Sequence, residues 1–139
     1  MRPSAHFLAS LALAAVFYQF FGRNALAIFA GGVLIDIDHY IWYILKHKKI
    51  NMARCYKFYA YEAAKKDFKD VTGSLMVFHT LEFTALCVLL SFYSTLALMF
   101  TAGLLLHYFL DLIFLYLVPK RFIANHSLVW WMIKNFQKI

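Results

Sequence analysis

The sequence predicts an all-α protein: an integral membrane four-helix bundle with a basic interfacial helix between helices 2 and 3. Three observations predict it. The 139 residues are 63% hydrophobic and only 15% charged, with a mean hydropathy of +0.65, more apolar than a soluble domain of this size can hide. Four apolar runs reach the roughly 17 to 25 residues that a helix needs to cross hydrocarbon. Between and after those runs the basic residues gather with aromatic ones, as suits a surface at the lipid headgroups.

The predicted spans are residues 6–22, 25–45, 73–93 and 95–118, the last ended by Pro119. Very short connections, Gly22 to Asn24 and Ser94, join spans 1 and 2 and spans 3 and 4, which forces antiparallel hairpins. The connection 46–72 carries Lys46, Lys48, Lys49, Arg54, Lys57, Lys65, Lys66 and Lys69 among Tyr56, Phe58, Tyr59, Tyr61 and Phe68. The tail 119–139 repeats the pattern with Lys120, Arg121, Trp130, Trp131, Lys134 and Lys138. With five glycines, two prolines and no repeat, residues 1–139 read as a single polytopic domain.

A net charge of +7 raises nucleic acid as a partner, but no recognition helix or stacking surface carries it. Anionic lipid headgroups at the basic loop are the expected partner instead. Arg23 stands alone at the short-loop end and the other basic residues fall at the opposite end, so the positive-inside rule places both termini in the cytoplasm, at an inner or plasma membrane. A cleaved signal peptide ending near Ala25-Leu26-Ala27 is the competing reading; the bulky, Phe-rich first run and its histidine argue against it. Cys55 and Cys87 suggest neither a disulfide framework nor a zinc knuckle.

Ionisable groups inside apolar helices are costly and ask for a reason. Span 2 carries Asp36, Asp38 and His39, span 3 carries His79 and Glu82, span 4 carries His107 and Asp111, and His6 opens span 1. Residues three or four apart share a helix face. Asp36 with His39, His79 with Glu82, and His107 with Asp111 all have that spacing. Asp38 lies about 200° around a helix from Asp36, so it joins the same site from the flank, as a partner of a ligand, or after local unwinding near Gly31 and Gly32.

Depth points the same way. At 1.5 Å per residue these groups sit about 9 to 17 Å from the cytoplasmic ends of spans 2, 3 and 4, with His6 shallower on the same side. No Lys or Arg lies inside spans 2 to 4 to neutralise the carboxylates, which makes a bound cation the expected counter-charge. Imidazole with carboxylate and no thiolate suits zinc, manganese or iron, as one ion or two. Taken singly, His6 is the weakest member of the set, being near the terminus. His47 and His126 read as solvated or capping residues, and Glu62, Asp67 and Asp70 as parts of a charged, solvated face.

The string Gly32-Val33-Leu34-Ile35-Asp36-Ile37-Asp38-His39 resembles the G-x-L-x-D-x-D-H signature of the membrane-bound metal-dependent hydrolases of the YdjM-like, LexA-regulated family. Phe78-His79-Thr80-Leu81-Glu82 and Leu106-His107-Tyr108-Phe109-Leu110-Asp111 resemble that family's later histidine-bearing helices, and His6 matches an N-terminal histidine. The likeness covers most of the four spans. Where family members carry an H-R-x-x-T-H-S segment this chain has Phe78-His79-Thr80, which implies a divergent branch. Through the family's own similarity to zinc-dependent phospholipase C, the resemblance implies hydrolysis of a phosphoester.

On that footing the expected metal ligands are His6, Asp36, His39, His79, Glu82, His107 and Asp111. Glu82 is ligand or general base, and Asp38 orients a histidine. The expected cofactor is zinc, with manganese or iron as alternatives, and the expected substrate a lipid headgroup at the cytoplasmic leaflet. Two other classes use the same residues. One is an ion or proton transporter with a His/carboxylate relay; the other is a non-catalytic, metal-stabilised membrane adaptor.

Overall fold

The computed structural model describes residues 3–65, 70–71, 74–117 and 126–136. Among these the regular structure is helical, without a β-strand. The helices are α1 (Pro3–Phe21), α2 (Ala27–Val33), α3 (Ile37–His47), α4 (Met52–Lys65), α5 (Leu81–Ser91), α6 (Thr95–Leu117) and α7 (Leu128–Phe136), with 3-10 turns at Gly22–Leu26, Leu34–Asp36 and Val77–His79. Among the described residues two stretches are long and apolar enough to cross a membrane, Pro3–His47 and Thr95–Phe114; Leu81–Ser91 is apolar but shorter. The chain forms two compact units, residues 1–35 with 82–114 and residues 36–81 with 115–139.

In the first unit α1 folds back on α2 through Gly22, whose φ of +54° is the left-handed conformation that glycine adopts without a Cβ penalty. The two helices run antiparallel. Phe7 meets Phe29 edge-on at 5.1 Å, and Ala14 packs with Ala25, Ile28 and Met99. Small residues let α2 and α6 touch backbone to backbone. A Cβ added to Gly31 would collide with the main-chain oxygen of Phe100, and one added to Gly103 with that of Ile28, the close approach typical of helices packed without a hydrophobic driving force between them. Ser94 starts α6 by accepting the Ala97 amide at 3.4 Å. Thr101 Oγ1 then donates to the Cys87 carbonyl at 3.0 Å, joining α6 to α5.

Beside its apolar core this unit buries polar side chains, and it exposes large apolar ones. His6, Ser10, Thr101 and His107 are buried, whereas Phe7, Leu8, Leu11, Val16, Phe20, Leu105, Phe109 and Leu112 are exposed.

In the second unit α3 ends at Lys48, left-handed at φ +55° with its amide on the Ile44 carbonyl at 2.8 Å. Asn51 opens α4 by accepting the Arg54 amide at 2.9 Å. Helices α3 and α4 meet through Trp42, Tyr43, Phe58 and Tyr59, and Val71 and Met76 close a small apolar core against them. Lys46 reaches the Asp70 carbonyl while lying 4.8 Å over the Trp42 ring, and Lys65 lies 4.1 Å over Tyr61. Ser127 caps α7 by accepting the Trp130 amide at 3.1 Å.

Several sequence expectations need correction here. Residues 73–93 do not form one helix: the α-helix starts only at Leu81, and Met76 and Thr80 are extended on either side of a single 3-10 turn. The cause is local competition for backbone groups. Thr80 Oγ1 donates to the Val77 carbonyl at 2.8 Å, the Phe78 amide is taken by Asp38, and the Leu81 amide by the His126 carbonyl. The second predicted span is likewise divided, by the 3-10 turn Leu34–Asp36. His47 is not solvated; its ring lies 4.7 Å from Tyr43 and 4.9 Å from Phe58. Glu62 is not on a solvated face either but is buried, because 55, 58, 59 and 62 fall on the side of α4 turned inward. Asp67 and Pro119 lie outside the described residues.

Candidate functional site

Each unit gathers one set of imidazoles and carboxylates, and both sets are geometrically able to hold a metal ion. In the first unit the set is His6 from α1 with His107 and Asp111 from α6. His6 Nε2 lies 3.2 Å from Asp111 Oδ1, and His107 Nε2 lies 3.2 Å from Asp111 Oδ2. The two imidazoles stack with centroids 4.0 Å apart and an interplanar angle of 20°. Both histidines are almost fully buried, at 2% and 1% exposure, while the Asp111 side chain is 31% exposed.

The tautomer of His107 follows from its partner. Its Nδ1 lies 2.9 Å from the main-chain oxygen of Gly32, and a carbonyl only accepts, so Nδ1 carries a proton. The Nε2 atom of a neutral ring then turns a lone pair toward the Asp111 carboxylate. Two acceptors facing each other in a buried place need positive charge, either a proton that makes an imidazolium or a cation between them. The spacing suits the cation: two donors on a tetrahedral zinc, each about 2.0 to 2.1 Å from it, stand about 3.3 Å apart.

The second unit holds Asp38, His39 and His79 as a convergent set, with Asp36 beside it. Asp38 is the centre. Its Oδ1 lies 2.7 Å from His39 Nδ1 and its Oδ2 lies 3.0 Å from His79 Nδ1, while the Phe78 amide donates to Oδ2 at 3.1 Å. With Nδ1–H donated to the carboxylate, the basic atom of each ring is Nε2. Asp36 Oδ1 stands 3.8 Å from His79 Nε2 and 3.6 Å from His39 Nδ1. The Tyr59 hydroxyl donates to the His39 carbonyl at 3.2 Å and its ring packs edge-on against His39. Burial, then the nearby Cys55, Asp38 and Asp36 charges, push the Tyr59 phenol well above its usual range.

Of the three same-face pairs read in the sequence, two come together: Asp36 with His39, and His107 with Asp111. In the third the backbone is interrupted: His79 ends a 3-10 turn and Glu82 lies in the first turn of α5. Glu82 joins neither convergent set among the described residues. His6, read as the weakest candidate, is a central member of its set. Asp38 enters its set as the bonding partner of two histidines, one of the routes the sequence leaves open to it. The tighter 3-10 winding of Leu34–Asp36, about 120° per residue in place of 100°, changes the angular relation before α3 begins.

Three participants went unseen in the sequence: Gly32 through its carbonyl, Phe78 through its amide and Tyr59 through its hydroxyl on the His39 carbonyl. Main-chain groups leave no mark in residue identity. The Gly31-Gly32 pair was the one available hint. Compared with models of protein families, with curated proteins and with solved structures, the chain matches none.

Proposed function

We propose that the protein is a membrane-embedded, metal-dependent hydrolase acting on a phosphoester, a lipid headgroup at the cytoplasmic leaflet, and a divergent member of the YdjM-like family. The carrying observation is the orientation of His107: its Nδ1 proton is committed to the Gly32 carbonyl at 2.9 Å, which aims Nε2 at Asp111. The same ligand logic recurs at Asp38 with His39 and His79, as expected where carboxylates and carbonyls fix the tautomer of ligating histidines.

His6, His107 and Asp111 form one ligand set in this reading, and His39, His79 and Asp36, oriented through Asp38, the other. A divalent ion, zinc by the donor chemistry with manganese or iron as alternatives, would lower the pKa of a water toward neutrality and offset phosphoester charge. Glu82 is the residue assigned to proton removal. The exposed apolar side chains and buried imidazoles of the first unit support membrane placement; the four-helix bundle and the cytoplasmic termini of this reading rest on the apolar runs and the distribution of basic residues in the sequence. Exposed Tyr56 and Tyr61, with Lys46 and Lys65 over aromatic rings, support headgroup binding by the basic segment.

The test is release of phosphate or a phosphorylated headgroup from vesicles of defined anionic lipid, with wild type and His107→Ala, each with and without added zinc. Metal-dependent turnover that His107→Ala abolishes is expected. Stoichiometric metal with no turnover favours the adaptor. No metal, together with pH-dependent proton flux in vesicles, favours the relay.

A further inference from the structure

His6 and Ser10 lie one turn apart on the same face of α1, both inside the first unit at 2% and 0% exposure. Two of their polar atoms, His6 Nδ1 and Ser10 Oγ, are fully buried with no hydrogen-bond partner among the described residues. Buried polar atoms in proteins are almost always satisfied, and where side chains do not supply the partner an ordered water does. The Ser10 hydroxyl faces the α2 backbone at Gly32, where an added Cβ would collide with it. Gly32 is the residue whose carbonyl orients His107, and His107 stacks on His6.

We propose that Ser10 Oγ and His6 Nδ1 hold one buried water, and that Ser10 is the positioning residue of His6. This rests on the metal-ligand reading of His6. For Nε2 to offer its lone pair to a cation beside Asp111, Nδ1 must carry the proton, and a buried N–H needs an acceptor. Water meets that need: it accepts from Nδ1–H and donates to Ser10 Oγ. The three kinds of partner that orient ligating histidines are then all used in one chain: a carbonyl for His107, a carboxylate for His39 and His79, and water for His6. Side-chain identity at residue 10 has a consequence on this account: a hydroxyl anchors the water and a methyl does not.

The test uses the purified full chain in lipid nanodiscs, with zinc affinity measured by competition against a chelator. Ser10→Ala is expected to weaken zinc about 10-fold, at the lower end of the effect of losing such a partner. Thr101→Ala removes another buried hydroxyl of the same unit, one bonded to main-chain oxygens, and is expected to keep wild-type affinity. If Ser10→Ala binds zinc as wild type does while His107→Ala does not, the water-positioning role is overturned and the metal reading survives. If His107→Ala also binds as wild type does, the metal reading of the His6, His107 and Asp111 set fails and this role with it. A second measurement needs no variant: imidazole 15N spectra of the wild type with zinc are expected to show the His6 proton on Nδ1, exchanging slowly. A His6 proton on Nε2 overturns the proposal.

Discussion

The Nδ1 atom of His107 meets the main-chain oxygen of Gly32 at 2.9 Å, so a peptide group of α2 decides which edge of an α6 imidazole is basic. Because Gly31 and Gly103 let the two backbones touch, that carbonyl is within reach of a side chain rooted on the neighbouring helix. The packing of small residues and the chemistry of the His6, His107 and Asp111 set are one arrangement.

Substituting the contact glycines is therefore expected to cost stability first. Gly31→Ala and Gly103→Ala each push a methyl into a main-chain oxygen, an overpacking of about 1 to 3 kcal/mol. Gly22→Ala meets open space and bears only the left-handed strain, about 1 kcal/mol. Thermal unfolding in one detergent should rank Gly22→Ala as the mildest of the three. Equal midpoints for all three would refute the close α2–α6 approach.

Asp38→Asn separates charge from shape. Asp38 accepts from His39, from His79 and from the Phe78 amide, and an amide side chain has only one oxygen to offer. One imidazole is expected to face an NH2 group and change tautomer. Zinc affinity in the second unit should fall about 10-fold or more, read by chelator competition in a His107→Ala background that isolates this set. Unchanged affinity would remove Asp38 from its orienting role.

Cys55 gives a chemical probe of the α3–α4 packing. Burial raises its thiol above the ordinary cysteine range, since desolvation disfavours the thiolate. In a Cys87→Ser background, iodoacetamide should alkylate the native protein slowly, with a rate that rises at higher pH than for a free thiol, and should react faster after denaturation. The sign for stability follows: an unfolded chain loses this proton at lower pH than the folded one, so the contribution is present below the unfolded pKa and is lost as pH rises through the alkaline range. A native alkylation profile centred at or below that of a free thiol would contradict the buried placement.

The helical class was legible because apolar composition and run length are properties of residue identity. Side-chain pairs at helical spacing were legible too, where the helix is regular: His107 with Asp111 is such a case. Asp38 as the partner of a ligand is legible in the sequence and matches its bonds to His39 and His79, whereas the two 3-10 turns at Leu34–Asp36 and Val77–His79 are not. Around the second of these turns backbone amides and carbonyls bond to side chains and to distant residues rather than along one α-helix. The apolar run from 73 conceals that break, since Met76, Val77 and Phe78 are as apolar as a helix would be. His6 looked marginal because depth was counted along one helix, whereas its burial comes from stacking on His107.

Metal content measured on the purified wild-type chain, alongside His107→Ala and Asp38→Asn, tests the central claim most directly. Bound zinc, manganese or iron in the wild type is expected, with less metal per chain in each variant while all three remain folded by circular dichroism. A folded wild-type chain that takes up no divalent ion, even when dialysed against zinc, would contradict it.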